Sequence, residues 1–243
     1  MLPGTGAECF FHTGTRVQVD GLAEGEAVIA PAAFALCNRR RMLQLTALGP
    51  VTFIAVRFRA GQLRHFVAAS FSELQDRLTP AADLWRHCAQ LEESLALAAN
   101  FSARAQLLAA FFLQQLQNSR DPLLDSVLTR LYYAPNTRIE QLAEQAGWGR
   151  RNFDKRFLAL YGVPPKYFAR VARLLKVVRR LALHPQERLL DSALDAGYFD
   201  QAHFCHDLQG LTGLSPAALR ADLIRRSHFY NPSFGAKSII ASR

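Results

Sequence analysis

The chain has 243 residues, 50% of them hydrophobic, and a formal net charge of +9. Such an apolar share excludes disorder over most of the length and supplies cores for one large domain or two ordinary ones. The charge is unevenly placed, with 11 Lys/Arg against 9 Asp/Glu in residues 1–120 and 18 against 11 in residues 121–243, as suits a C-terminal half that meets a polyanion, though a basic tail would give the same imbalance.

Strand-like segments come first. Between Phe10 and Arg59 the pattern predicts short strands at 16–19, 26–29, 42–47 and 52–58, and in the last of these Ile54, Val56 and Phe58 alternate with Ala55 and Arg57. Asp20-Gly21 and Leu48-Gly49-Pro50 punctuate them. Roughly fifty residues make a small antiparallel sheet, too few for a full barrel of average strands.

After Gly61 the period becomes helical. Leu63, Phe66 and Val67 form one stripe, Ser72-Glu73-Leu74 opens a short turn that Pro80 stops, and helices are predicted over 84–99 and 101–116 with a break at Asn100. The second is apolar around much of its circumference, the pattern of a helix buried between layers or shared with another subunit. Pro122 opens a new helix with Asp121 as its cap or first-turn acid. Pro135-Asn136 ends that helix, and Thr137 is expected to cap the next, with Glu140 at the capping-box position.

From there the chain is helical and repeats itself. Residues 145–157 read QAGWGRRNFDKRF and residues 195–208 read DAGYFDQAHFCHDL. In the first, Ile139, Leu142, Ala143 and Ala146 face inward, Gly147 turns the corner, Trp148 plugs it, and a second helix follows with Phe153, Phe157 and Leu158 inward. In the second, Leu189, Leu190, Ala193 and Leu194 face inward, Gly197 turns, Tyr198 plugs, Asp200 caps, and Phe204 and Leu208 hold the next helix. The exits agree too, Tyr161-Gly162-Val163-Pro164-Pro165 against Thr212-Gly213-Leu214-Ser215-Pro216. Two helix-turn-helix units are therefore expected, each offering polar side chains to a DNA major groove. Between them, 166–183 reads as a long amphipathic helix, about 27 Å for roughly eighteen residues, a length that suits two modules reaching successive groove segments.

These residues resemble the DNA-binding domain of the AraC/XylS family of bacterial transcription regulators. The likeness covers about residues 121–224 and rests on Gly147, Phe153, Phe157, Gly162 and Pro165, then Gly197, Phe204, Gly213, Ser215 and Pro216, including a second corner one residue longer than the first. Gly149 stands where the family usually has a Ser-type cap, and His206 where it often has Arg. Residues 49–61 and 78–85 are similar to the sensor-like domain that precedes some members, which implies binding of a small effector or dimerisation. The expected fold class is α+β, a small β-rich N-terminal domain with helices followed by an all-α domain. The expected domains are 1–118, a sensor or dimerisation domain; 121–226, a double helix-turn-helix; and 227–243, a flexible tail.

Arg151, Asp154 and Lys155 are the candidate base readers of the first unit. Arg and Lys donate to guanine O6 and N7, while Asp154 either accepts from cytosine or orients Arg150 or Arg151. Gln201, His203 and His206 are the candidates of the second, and Arg150, Arg156 and Lys166, near helix starts or edges, are assigned to phosphate or to fold-level packing. Residues 137–183 hold 11 basic and 3 acidic side chains, and residues 187–224 hold 2 and 6, so the first unit is expected to carry most of the affinity.

No Gly-rich phosphate loop, His-Glu-x-x-His or Gly-x-Ser-x-Gly occurs, so no enzyme and no cofactor is expected. His203, Cys205 and His206 do not converge on a helix, which argues against a metal. Cys9, Cys37, Cys88 and Cys205 lack Cys-x-x-Cys spacing and fit a reduced, cytoplasmic protein. The most apolar uncharged stretch, 105–119, is shorter than the roughly 18 residues that span a bilayer, and the start lacks the pattern of a secretion signal. The expected function is sequence-specific transcription regulation, with double-stranded DNA as partner and a small-molecule effector, a second copy of the chain and RNA polymerase as further candidates. The alternative is a non-enzymatic protein-interaction or scaffold module, which the acidic second unit and the apolar 101–116 helix would suit.

Overall fold

The computed structural model describes residues 1–23, 25–117 and 122–225; the cap expected at Asp121 and the tail expected over 227–243 lie outside them. By compactness the chain divides into Met1–Ala172 and the residues from Arg173 onward. The architecture is α+β, β-rich first and all-helical afterwards.

The first unit holds strands β1 (Ala7–His12), β2 (Val17–Asp20), β3 (Val28–Ile29), β4 (Ala33–Cys37), β5 (Gln44–Ala47), β6 (Phe53–Phe58) and β7 (Leu78–Pro80). They form two antiparallel sheets, ordered β6-β1-β4-β7 and β3-β2-β5. β1 and β4 escape a search for alternation because they are central and buried on both faces. Cys9 and Phe11 join one apolar cluster with Ala35 and Phe58, whereas Phe10 and Phe34 join another with Val17, Val19 and Leu43. Two buried faces produce a continuous apolar run in place of a period of two. Glu8 is the polar exception, and its carboxylate accepts from Arg39 at 2.6 Å and pairs with Arg57 at 3.1 Å.

Helices α1 (Phe71–Leu74), α2 (Ala81–Leu84), α3 (Cys88–Leu97) and α4 (Phe101–Gln115) accompany the sheets. Ser70, rather than Ser72, opens α1, through a capping box with Glu73. The single helix expected over 84–99 is broken at Trp85, which is extended; its ring is buried and its indole N–H donates to Phe66 O at 2.7 Å. Asn100 does separate α3 from α4, accepting from Ala103 N at 2.9 Å. α4 buries Leu108, Phe111 and Phe112, and Phe112 meets Trp85 and Phe58 edge-on at 5.1 and 5.2 Å. Its other side leaves Phe101 and Leu113 exposed.

The same unit contains α5 (Pro122–Tyr133), α6 (Ile139–Gln145), α7 (Arg150–Tyr161) and the first turns of α8 (Pro165–Leu183). Their core joins Leu128, Leu131, Leu142, Phe153, Phe157, Tyr161 and Phe168. Two expectations fail here. Thr137 does not cap α6, because its hydroxyl turns back to donate to Ala134 O at 2.8 Å, and Arg138 takes the cap position without a side-chain bond. Leu158 is 45% exposed, since the inward stripe runs from Phe157 to Tyr161 instead.

α7 ends against the β-rich part. Asn38 Nδ2 donates to Tyr161 O, and the Arg64 guanidinium lies 6.0 Å from the Tyr161 ring centroid. Gly162 has φ 71°, and a Cβ there would stand 3.0 Å from Phe71 O. Gly61, at φ 73°, leaves the space that Tyr161 and Leu128 fill. Asp125 on α5 accepts from Arg64 at 2.6 Å and Gln62 at 3.0 Å.

The second unit completes α8 and adds α9 (Leu189–Ala196), α10 (Gln201–Thr212) and α11 (Pro216–Arg225). Ala193, Tyr198, Phe204, Leu208 and Leu219 are buried, but Leu194, expected inward, is 44% exposed. Among the described residues, no helix is long and apolar enough to cross a membrane.

Gly61→Ala is expected to cost about 2 kcal/mol or more, from the positive φ together with overpacking, read as a lowered urea midpoint. Asp125 supplies a pH test. Burial alone would raise its pKa, yet the hydrogen bond and charge of Arg64, helped by Gln62 and His65, hold it below the usual carboxylate value. Its contribution is therefore complete at neutral pH and is lost as pH falls through that lowered value. Asp125→Asn should be less stable by about 1–2 kcal/mol at pH 7, with the gap to the parent chain closing as pH falls below about 4.

Candidate nucleic-acid interface

Each corner is built from the same bonds. At Gly147 the backbone is left-handed, φ 65°, and its N–H donates to Glu144 O at 2.9 Å while Trp148 N–H donates to Ala143 O at 2.9 Å. At Gly197, φ 97°, the N–H donates to Leu194 O at 2.9 Å and Tyr198 N–H to Ala193 O at 3.1 Å. Left-handed backbone after a helix is the setting in which glycine avoids the Cβ penalty. The exits match as well: Gly162 and Gly213 both have φ 71°, and each donates its N–H four residues back at 2.8 Å.

An aromatic ring then fills each corner, with an arginine laid over it. Trp148 packs 6.2 Å from Phe153 under the Arg156 guanidinium at 4.6 Å. Tyr198 packs 5.2 Å from both Phe204 and His203 under Arg173 at 5.2 Å. Cation–π contacts of this kind contribute about 0.5–1 kcal/mol at exposed sites.

The two second helices start differently. Gly149 precedes α7 and offers no side-chain cap, whereas Asp200 Oδ1 accepts from His203 N at 2.7 Å at the start of α10. Between plug and cap the second corner also holds one extra residue, Phe199, 87% exposed. Nothing singled Phe199 out from composition; the signal lay in the spacing, six positions from Gly147 to Phe153 and seven from Gly197 to Phe204.

On α7, Arg151 and Lys155 are exposed one turn apart and share a face. Arg150 is drawn into the fold, where its Nε donates to Asp154 at 2.9 Å and its Nη1 bonds Glu140. The Glu140 carboxyl is held below the usual range, first by its own backbone N–H and then, against desolvation, by the charges of Arg150, Lys166 and Arg138. Of the two roles open to Asp154, the bond to Arg150 is the one present. Arg156, stacked on Trp148, and Lys166 at the start of α8 are both exposed. Asn152, not singled out from sequence, is exposed beside Arg151 and carries an amide of the type that addresses adenine.

On α10, Gln201, Ala202, His203 and His206 are all exposed. His203 is partly committed, since its Nδ1 lies 3.4 Å from Phe199 N and accepts from it. Two nearby arginines are engaged within the fold: Arg180 pairs with Glu187 at 2.6 Å and with Asp195, and Arg220 donates to Pro185 O at 2.8 Å, while Arg188 is exposed.

Asp200→Ala should cost about 1 kcal/mol of stability through the lost cap, while Gly149→Ser should change it by only a few tenths in the opposite direction. Paired thermal melts of the two variants check this, and equal effects would contradict the asymmetry of the caps.

A helix-turn-helix domain family matches residues 142–222. The transcriptional regulator ExsA of Pseudomonas aeruginosa is 28% identical over 133 residues, 55% of this chain and 46% of that protein. The virulence regulon transcriptional activator VirF of Yersinia enterocolitica is 27% identical over 131 residues, 54% of this chain and 47% of that protein. The chain thus spans about half the length of the curated relatives it matches. Among solved structures, ToxT of Vibrio cholerae strain SCE256 with an unsaturated fatty acid bound shares the fold at TM-score 0.51 and 11% identity, covering 90% of this chain and 88% of that one.

Proposed function

With a C-terminal half of the AraC/XylS type as premise, we propose that the chain is a sequence-specific DNA-binding transcription regulator acting in the cytoplasm. The observation that carries this is the corner built twice from the same bonds, each time followed by a helix with exposed hydrogen-bonding side chains. The first unit supplies affinity through its excess of basic over acidic side chains, and the second supplies discrimination. Arg151 and Lys155 donate to guanine edges, Gln201 addresses adenine, and His203 and His206 add contacts beside it. Arg156 and Lys166 hold phosphate. Arg150 sits at the edge of the phosphate contacts, positioned by Asp154.

Residues 1–118 serve as the sensor or dimerisation part and 121–226 as the DNA-binding part. Duplex DNA is the partner, and a small-molecule effector, a second copy of the chain and RNA polymerase complete the set. The ToxT structure with a bound fatty acid supports an apolar organic acid as the effector class. Native mass spectrometry of the chain purified from cell extract, where a retained mass of that class is expected, examines this part.

Footprinting on genomic fragments should show protection over two nearby major-groove segments. Arg151→Ala with Lys155→Ala should weaken binding of a protected fragment at least about tenfold, whereas Gln201→Ala with His203→Ala should mainly narrow the preference for it over competitor DNA. Unchanged affinity and preference in the Arg151/Lys155 variant would replace this function with that of a protein-interaction module, for which Leu97, Phe101 and Leu113 are exposed on α3 and α4.

A further inference from the structure

The geometry points to Phe199 as an additional specificity-determining residue, an apolar contact for the thymine C5-methyl group in the stretch of duplex addressed by the second unit. This deepens the DNA-binding function above and rests on it.

Phe199 is held outside by its neighbours. Tyr198 on one side is buried at 3% exposure, and its ring already occupies the corner between Phe204, His203 and Arg173. Asp200 on the other side is fixed by its cap bond to His203 N at 2.7 Å. Phe199's own N–H donates to His203 Nδ1 at 3.4 Å, so the backbone is pinned at the residue itself. Tyr198 takes the corner, and Phe199 stands 87% exposed, one residue ahead of the cap of α10. A chain that needed only to turn there could do so with the shorter corner, as it does between Trp148 and Arg150.

The chemistry of the unit favours an apolar contact with a base over any protein partner. Residues 187–224 carry 2 basic and 6 acidic side chains, so attraction to phosphate is weak and discrimination falls to the exposed start of α10. There Phe199 and Ala202 are apolar while Gln201 between them is an amide. Gln pairs with the N6 and N7 of adenine, and the only apolar group that a base pair shows in the major groove is the thymine methyl. An amide at Gln201, with apolar Phe199 two positions before it and Ala202 next to it, suits the reading of A·T pairs. His203, bonded to the Phe199 backbone, acts here as a positioning residue.

The test uses the full chain and a duplex selected by it from a random library. In that duplex, each thymine of the segment protected by the second unit is replaced in turn by deoxyuridine, which removes only the methyl. The parent chain should lose about 5- to 10-fold in affinity at one or two of these positions, and Phe199→Ala should lose as much on the thymine duplex while becoming indifferent to deoxyuridine there. Phe199→Leu should retain most of the effect. Folding of each variant is verified by far-UV circular dichroism and melting, and an exposed ring predicts no change in either. If no duplex is selected by the parent chain, the DNA-binding function itself falls. If a duplex is selected but Phe199→Ala binds it unchanged, or remains as sensitive to deoxyuridine as the parent, the methyl contact is overturned. A Phe199→Ala variant that alters only the oligomeric state would overturn it equally and assign the ring to a protein interface.

Discussion

Helix α7 is anchored at its C-terminal end, and much else in Met1–Ala172 follows from that anchor. Tyr161 closes α7 at 1% exposure, with Phe157 4.6 Å away and Arg64 over the ring. Its carbonyl would be an orphan at the end of the helix, and Asn38 donates to it from the β-rich part. Gly162 can then turn left-handed against the backbone of Phe71, and Gly61 clears the volume the ring needs. The exposed end of α7, where Arg151 and Lys155 lie, is free of these constraints and remains available to a ligand.

Electrostatics and packing divide between the two units in a way that either alone would not predict. In the first, Glu140 and Asp154 both pair with Arg150, which leaves Arg151, Lys155 and Arg156 as exposed donors. In the second, the corner depends on an acidic cap and an aromatic plug, and Arg180 and Arg220 bond within the fold. Both corners nonetheless keep an arginine over the plugging ring. The shared feature serves the turn, and the differing charges serve what the turn presents.

The helical half was largely legible because its signals are local. Glycine, aromatic and helix period recur at fixed offsets, and the bonds at Gly147, Gly197, Gly162 and Gly213 repeat as those offsets imply. Asp200 was readable as a cap for the same reason. The β-rich half was less legible. β1 and β4 were hidden by burial on both faces, and Trp85 interrupts a helical period through a bond to Phe66 that lies 19 positions away. Thr137 shows the limit of capping rules, since a hydroxyl that can reach back to Ala134 has two local partners and composition does not choose between them. Of the candidate site, the exposed residues were recognisable by helix phase. The engagement of Arg150 by two carboxylates depended on side-chain geometry, and Phe199 on comparing two corners rather than reading one.

The anchoring of Tyr161 bears on how such a chain can be assembled over evolutionary time. Recombination that joined a new N-terminal domain at residues 118–121 would bring in whatever stands at the places of Asn38, Gly61 and Phe71, while Tyr161 and Gly162 stayed behind. A graft would leave a helix-end carbonyl and a large ring without their sockets unless the incoming domain carried equivalents. The two halves are separable in sequence, yet they share an inheritance: the residues that seat one end of α7 must be transmitted with it or rediscovered together.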